Sequence, residues 1–155
     1  MNPKGHAALV TGGGSGLGEA TARKLAAAGC KVTVLDVNMD GAQRVANAIG
    51  GLAIKCDVTS ADGTAAAIAQ ARDKHGAARI LVNCAGIGIS ARVVGRDGPA
   101  SLSQFEQIIK VNLIGTFNAM RLAAADMTAL PPLEANERGL IVMTASVAAY
   151  EGQIG

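Results

Sequence analysis

The sequence predicts a doubly wound α/β fold, a parallel sheet with helices on both faces. Short apolar runs rich in β-branched residues alternate with amphipathic runs of helical length, as buried parallel strands and their crossovers do. Half of the 155 residues are hydrophobic but only 2% are aromatic, so the core must be Ala, Val, Leu and Ile packed around many glycines. A glycine-dense turn follows the first apolar run. A chain of this length buries roughly 70% of the surface its unfolded form exposes, so one domain over 1–155 is expected.

In chain order, the strands are expected at 6–11 (HAALVT), 31–36 (KVTVLD), 52–58 (LAIKCDV), 79–86 (RILVNCAG) and 139–146 (GLIVMTAS). Helices are expected at 17–28, 39–49, 61–75 and 102–128, each long enough for a right-handed crossover. Ser60 is placed to cap the third helix. Ser103, three residues before Glu106, has the spacing of a capping box for the fourth. Two segments read as irregular, 88–101 and 129–139. The first follows the carboxyl end of a strand, where open sheets bind ligands, and the second lies at the opposite end.

Composition excludes several function classes. The net charge of +2 is spread without a basic run, and stacking aromatics are missing, so no nucleic-acid partner is expected. No stretch approaches roughly 18 uninterrupted apolar residues, and the start enters a strand without a signal-peptide core, so no membrane partner and a cytoplasmic protein are expected. Cys30, Cys56 and Cys84 are odd in number and widely spaced; they read as buried free thiols. His6 and His75 have no second ligand type nearby and read as solvated, so no metal site is expected.

The stretch ALVTGGGSGLGEATARKLAAAG is a strand, a turn and a helix, with Gly12, Gly16 and Gly18 spaced GxxxGxG. Such a turn needs positive φ and no Cβ, so that bare backbone can approach a pyrophosphate at the N-terminus of the next helix. A phosphate-hydrolase loop is excluded, because Glu19 and Ala20 stand where Lys and Ser/Thr are required. A glycine-rich turn that binds nothing is the plain alternative. Asp36 ends the second strand, 18 residues past Gly18, where a carboxylate accepts hydrogen bonds from an adenosine ribose. A 2'-phosphate beside it would be repelled by roughly 4 kcal/mol per charge pair at about 4 Å and an effective dielectric near 20. Ser15, Val37 and Asn38 offer no offsetting cation. The expected cofactor is therefore NAD, not NADP, and the plain alternative is a strand-end acid capping the following helix.

With the glycine loop, Asp36, CDV at 56–58, NCAG at 83–86, VN at 111–112 and TAS at 144–146 in order, the chain resembles the short-chain dehydrogenase/reductase family over nearly its whole length. The resemblance implies that Thr11, Gly12, Ser15, Gly16, Leu17 and Gly18 bind the cofactor diphosphate and that Asp57 and Val58 flank the adenine. It also implies that Asn83, Ala85 and Gly86 line the cleft and steady the sheet. Cys84 departs from the family's commoner asparagine. Within the family, NCAGIG, VNLIGTFNAMRLAA and TASVAAYEGQIG are similar to the 3-hydroxyacyl-CoA dehydrogenase group, which implies an acyl-CoA thioester substrate oxidised at its 3-hydroxyl and a tetrameric assembly through the long fourth helix.

The family's reaction needs a tyrosine made basic by a lysine, in the pattern Tyr-x-x-x-Lys, which puts both side chains on one helical face. Tyr150 fails, because Ile154 stands four residues on and no lysine follows Lys110. By resemblance Ser146 is the serine that holds the substrate oxygen, and the family's tyrosine lies further beyond it than these residues run. Asn112 shares a stripe with Phe105, Ile108 and Thr116, which puts an amide on the expected apolar side. It reads either as a satisfied core asparagine or, by resemblance, as the anchor of a water leading to the lysine. The resulting expectation is the amino-terminal portion of a Rossmann-type sheet, strand order 3-2-1-4-5, truncated before the last strands. Two alternatives remain open, a non-catalytic NAD-binding module or folding fragment and an NADP-linked reductase of the same fold.

Overall fold

The computed structural model describes residues 1–89 and 91–152. Ser90, inside the expected irregular segment, and residues 153–155, the end of the stretch that carries Ser146, lie outside the described residues. Among the described residues seven strands form: β1 (Ala7–Thr11), β2 (Lys31–Asp36), β3 (Leu52–Lys55), β4 (Ile80–Asn83), β5 (Val94–Gly95), β6 (Gly98–Pro99) and β7 (Leu140–Met143). Helices α1 (Gly16–Ala27), α2 (Met39–Ile49), α3 (Ala61–His75), α4 (Leu102–Ile109), α5 (Thr116–Ala129) and the one-turn α6 (Ala148–Glu151) lie between and after them.

The main sheet has the order β3-β2-β1-β4-β7, and every pairing is parallel. This is the expected 3-2-1-4-5 order; its fifth strand is the seventh in the chain because β5 and β6 form a small antiparallel hairpin inside the segment read as irregular. Side chains alternate along the strands. Ala8, Val10, Val32, Val34, Ile80 and Val82 meet Ala22, Ala42, Val45 and Ala46 of α1 and α2. On the other face Ala7, Leu9, Leu35, Ile54 and Leu81 meet Ala67, Ile68 and Ala71 of α3 and Ala119, Ala123 and Met127 of α5. Each fully buried Val or Leu there contributes about 1.5–3 kcal/mol, which is how a core almost free of aromatics holds together.

Three strands stop short of the expected boundaries, at Lys55, Asn83 and Met143. Of the residues beyond, Cys56, Asp57, Val58, Cys84, Ala85 and Gly86 line a crevice, and Ser146 follows β7 at the same end of the sheet. Ser60 caps α3 as expected, accepting from the Gly63 N–H at 3.1 Å. The fourth helix is capped by Ser101, not Ser103: the Ser101 hydroxyl accepts from the Gln104 N–H at 3.4 Å and lies 2.9 Å from the Ser103 hydroxyl. The helix thus begins two residues earlier than the capping-box reading requires.

The expected single helix at 102–128 runs to Ala129 and contains a π-helical stretch, Lys110–Gly115. The expected stripe does not face the core. Phe105 and Asn112 are exposed, and the side turned to the core is Gly115, Asn118, Ala119, Ala123 and Met127. Phe105 precedes the π-helical stretch, so its exposure does not depend on a change of helical phase; the stripe drawn through it lies on a different side of the helix from the buried one. The exposed flank carries Leu102, Phe105, Leu113 and Phe117, the apolar stripe that an assembling helix would show.

Of the thiols, Cys56 is buried but Cys30 and Cys84 are only half-buried, and all three are free. Burial pushes the Cys56 and Cys30 thiols up. His6 and His75 are half-buried, not solvated. His75 lies 3.3 Å from the Thr33 hydroxyl through Nδ1, and burial, followed by the charges of Lys31 and Lys74, holds its pKa down. Among the described residues no helix is long and apolar enough to cross a membrane, and no cluster of His, Cys, Asp and Glu is arranged to hold a metal.

Candidate functional site

The chain passes from β1 outward to β2 and β3, then crosses back to lay β4 on the other side of β1. Over the carboxyl ends at that reversal opens a cleft of about 630 Å³. One wall is the glycine loop. Gly12 and Gly16 have φ of +63° and +52°, which an L side chain rarely adopts. A Cβ on Gly18 would run into the Gly12 carbonyl oxygen, and one on Gly12 would lie 2.7 Å from the Ala85 nitrogen. The loop therefore closes on itself and against the exit of β4 only because those side chains are missing. Ser15 precedes α1 without capping it through its side chain, so the first amides of that helix keep donors for an anion.

Asp36 stands at the end of β2 in the cleft wall. Its Oδ2 accepts from the Gly14 N–H at 2.8 Å and its Oδ1 from the Asn38 N–H at 2.9 Å. A carboxylate oxygen accepts more than one hydrogen bond, so both retain capacity toward a ribose diol. Further along, Asp57 accepts at Oδ1 from the Thr59 N–H (2.9 Å) and hydroxyl (2.8 Å). Those two bonds, the backbone one first, hold its carboxyl below the usual range, and the charge of Lys110 across the cleft adds to them. Val58, Ala85 and Gly86 also line the space.

Two expected cofactor residues lie beneath the cleft and do not line it. Thr11 is buried, and its hydroxyl accepts from the N–H groups of Cys84 and Ala85, each at 3.2 Å, which fixes where β4 leaves the sheet. Asn83 is buried with no partner for either polar atom of its side chain. The structure brings Gly12, Ser15, Gly16, Leu17, Gly18, Asp36, Asp57, Val58, Ala85 and Gly86 together around one space.

Asn112, expected to be buried, is exposed and clamps one residue of the rim. Its Oδ1 accepts from the Ile87 N–H at 2.9 Å and its Nδ2 donates to the Ile87 carbonyl at 2.8 Å. Ser146 follows β7 at the same end of the sheet. Its hydroxyl accepts from the Ala148 N–H at 3.2 Å and keeps its own proton to donate. Tyr150, in α6, is 90% exposed.

Several contributors escaped sequence reading. Asn118 is the buried amide of the long helix: its Nδ2 reaches the Val58 carbonyl (2.9 Å), the Ser60 carbonyl (3.2 Å) and the Thr64 hydroxyl (3.1 Å), while Arg121 donates to its Oδ1. It ties α5 to the loop that carries Asp57. Arg44 of α2 donates to both Glu19 oxygens, at 2.8 and 2.6 Å, and to the Gly14 carbonyl at 3.1 Å. Hydrogen bonds from Arg44, then from Arg23, push the Glu19 carboxyl down to about 2. The Glu19–Arg23 pair has a legible i,i+4 spacing; Arg44, 25 residues from Glu19, has no local signal. Gln107 and Lys110 complete the far wall.

A doubly wound parallel sheet with a bare-backbone loop and a strand-end acid at its reversal point defines the class of dinucleotide-binding α/β proteins. Within that class the chain belongs to the short-chain dehydrogenases: the family model described as "short chain dehydrogenase" matches residues 6–155, and this family of oxidoreductases implies a nicotinamide cofactor. The chain is 43% identical to 3-hydroxyacyl-CoA dehydrogenase type-2 of Bos taurus and 40% identical to that of Homo sapiens, each over 98% of this chain and 60% of the relative. A crystal structure of 3-hydroxyacyl-CoA dehydrogenase type-2 from Mycobacterium avium matches all of this chain and 63% of its own length, at 40% identity and a TM-score of 0.89. The chain spans about 60% of the length of these relatives.

Proposed function

We propose that this chain is the cofactor-binding portion of an NAD-dependent dehydrogenase that oxidises a secondary alcohol, a 3-hydroxyacyl-CoA thioester, to the ketone. The observation that carries the NAD reading is Asp36, which is pinned by two backbone N–H groups with its remaining acceptor capacity at the cleft wall. The thioester reading rests on the names of the relatives and on the resemblance of NCAGIG, VNLIGTFNAMRLAA and TASVAAYEGQIG to that group.

The residues fit the cofactor. Gly12, Ser15, Gly16, Leu17 and Gly18 offer bare backbone and helix-start amides to the diphosphate, Asp36 accepts from the ribose, and Asp57 and Val58 flank the adenine. Thr11 acts from below by holding the exit of β4, with Asn83 buried beside it. When bound, the nicotinamide supplies the hydride acceptor. The protein has to orient the alcohol and move a proton. Ser146 donates its hydroxyl to the substrate oxygen, and Asn112 fixes the Ile87 rim of the cleft and takes part in the proton path.

No Tyr-x-x-x-Lys pair occurs in the 155 residues, and Tyr150 has Ile154 at the lysine position. General acid–base catalysis contributes about 10² to 10⁴ in rate, so these residues alone are proposed to bind NAD with little or no turnover. A second reading, which the glycine loop and Asp36 alone would equally support, is a module that binds NAD without reacting. Assay of the native polypeptide, sized by intact mass, separates the two. A product longer than 155 residues that reduces NAD with a 3-hydroxyacyl-CoA supports the dehydrogenase, and one ending at Gly155 that binds NAD without reducing it supports the module. The exposed apolar flank of α4 and α5 supports assembly through this helix, with a tetramer as the proposed state and the cytoplasm as the proposed compartment.

A further inference from the structure

We propose that Arg44 is a positioning residue for the phosphate loop: by bridging Glu19 to the Gly14 carbonyl it fixes the peptide that aims the Ser15 amide, an inference that rests on the dinucleotide reading of the cleft. Gly14 is held on both of its peptide planes. Its N–H donates to Asp36 Oδ2 at 2.8 Å, and its carbonyl accepts from an Arg44 Nη at 3.1 Å. A trans peptide is planar with its N–H opposite its C=O, so holding the Gly14 carbonyl toward Arg44 turns the Ser15 N–H away from α2. Ser15 lines the cleft.

The fit around Gly14 is close. A Cβ on Gly14 would lie 2.9 Å from Asp36 Oδ2, and one on Gly41, in the first turn of α2, would lie 2.9 Å from the Gly14 carbonyl oxygen. The loop is thus wedged against α2 by contacts that leave room only for hydrogen. Arg44 closes that junction from the exposed side. Its planar fork holds both Glu19 oxygens and still reaches the carbonyl, a geometry a point charge reproduces only in part. The other ion pair between helices, Arg72 with Asp126, joins α3 to α5 and touches no loop backbone. Arg44 is mostly exposed and contributes nothing to the core, so its effect should be confined to the loop.

The test compares two probes on the full chain: NAD, which needs the loop for its diphosphate, and adenosine, which needs only Asp36 and the adenine wall. Arg44→Met should lose about fivefold in NAD affinity, the scale of one ordinary net hydrogen bond, with adenosine affinity unchanged. Arg44→Lys should recover part of the loss, and Glu19→Gln, which weakens the hold without removing Arg44, should show a smaller loss of the same selectivity. Arg44→Met binding NAD like the wild type, or losing both probes equally, overturns the proposal. A wild-type chain that fails to bind NAD overturns the dinucleotide reading itself, whereas wild-type binding with an unaffected Arg44→Met overturns only the role of Arg44.

Discussion

The strands β1 and β7 are both short apolar runs in one parallel sheet, yet β1 is buried at all five residues while Leu140, Val142 and Met143 of β7 are 49%, 41% and 47% exposed. The contrast extends to their surroundings. β1 has a strand on each side and helices on both faces, and its loop, the end of β2 and α2 are cross-linked by Asp36, Asn38, Glu19 and Arg44. β7 pairs only with β4, and Ser146 and Tyr150 after it are exposed. The loop side of the cleft is cross-linked, and the β7 side is exposed. Binding and turnover should therefore respond separately to mutation.

The largest expected effect is at Gly18. Gly18→Ala drives a methyl into the Gly12 carbonyl oxygen, a backbone contact that no rotamer relieves. Overpacking of this kind costs about 1–3 kcal/mol or more, and the loop must open to accept it. NAD affinity should fall at least about 100-fold in a calorimetric titration; near-wild-type binding would break the claim that bare backbone makes this half of the site.

A smaller effect sharpens the comparison along one helix. Asn118→Ala strands buried acceptors at Val58 and Ser60 and should cost about 1–3 kcal/mol in urea unfolding, whereas Asn112→Ala, at an exposed site, should cost less than about 1 kcal/mol. Equal losses would mean that the rim and the core share their stability.

The smallest effect is in pH. The Glu19 carboxyl is held near 2 in the folded chain against 4.5 ordinarily, so its contribution is fully present above about 4.5 and disappears as pH falls through about 2. Glu19→Gln should flatten that part of the stability profile between pH 4.5 and 2; its loss, small because the pair is exposed and screened, should be complete at pH 7 and vanish toward pH 2. An unchanged acid profile would remove Glu19 from the loop's support.

Much of this arrangement is legible in the sequence because its signals are local. The turn at Gly12–Gly18, the acid closing KVTVLD and the alternation of runs all act within a few residues, and the strand order is what the family resemblance implies. What escaped is long-range or depends on which side of a helix faces the core. Arg44 reaches Glu19 across 25 residues without a pattern to mark it. Asn112, expected on the apolar side, is exposed, and the buried amide of the long helix is Asn118, which no local signal marks. Asn83 and Thr11 read as cleft residues from their motifs, but side chains alternate along a strand, and theirs point under the loop.

The most direct test of the account is calorimetric titration of the full chain and of Asp36→Ala with NAD and NADP. The wild type should prefer NAD by at least about tenfold, and Asp36→Ala should weaken NAD and close most of that gap, as loss of a charged acceptor beside a ribose requires. Equal affinity of the wild type for the two cofactors, or a preference that survives in Asp36→Ala, would contradict it.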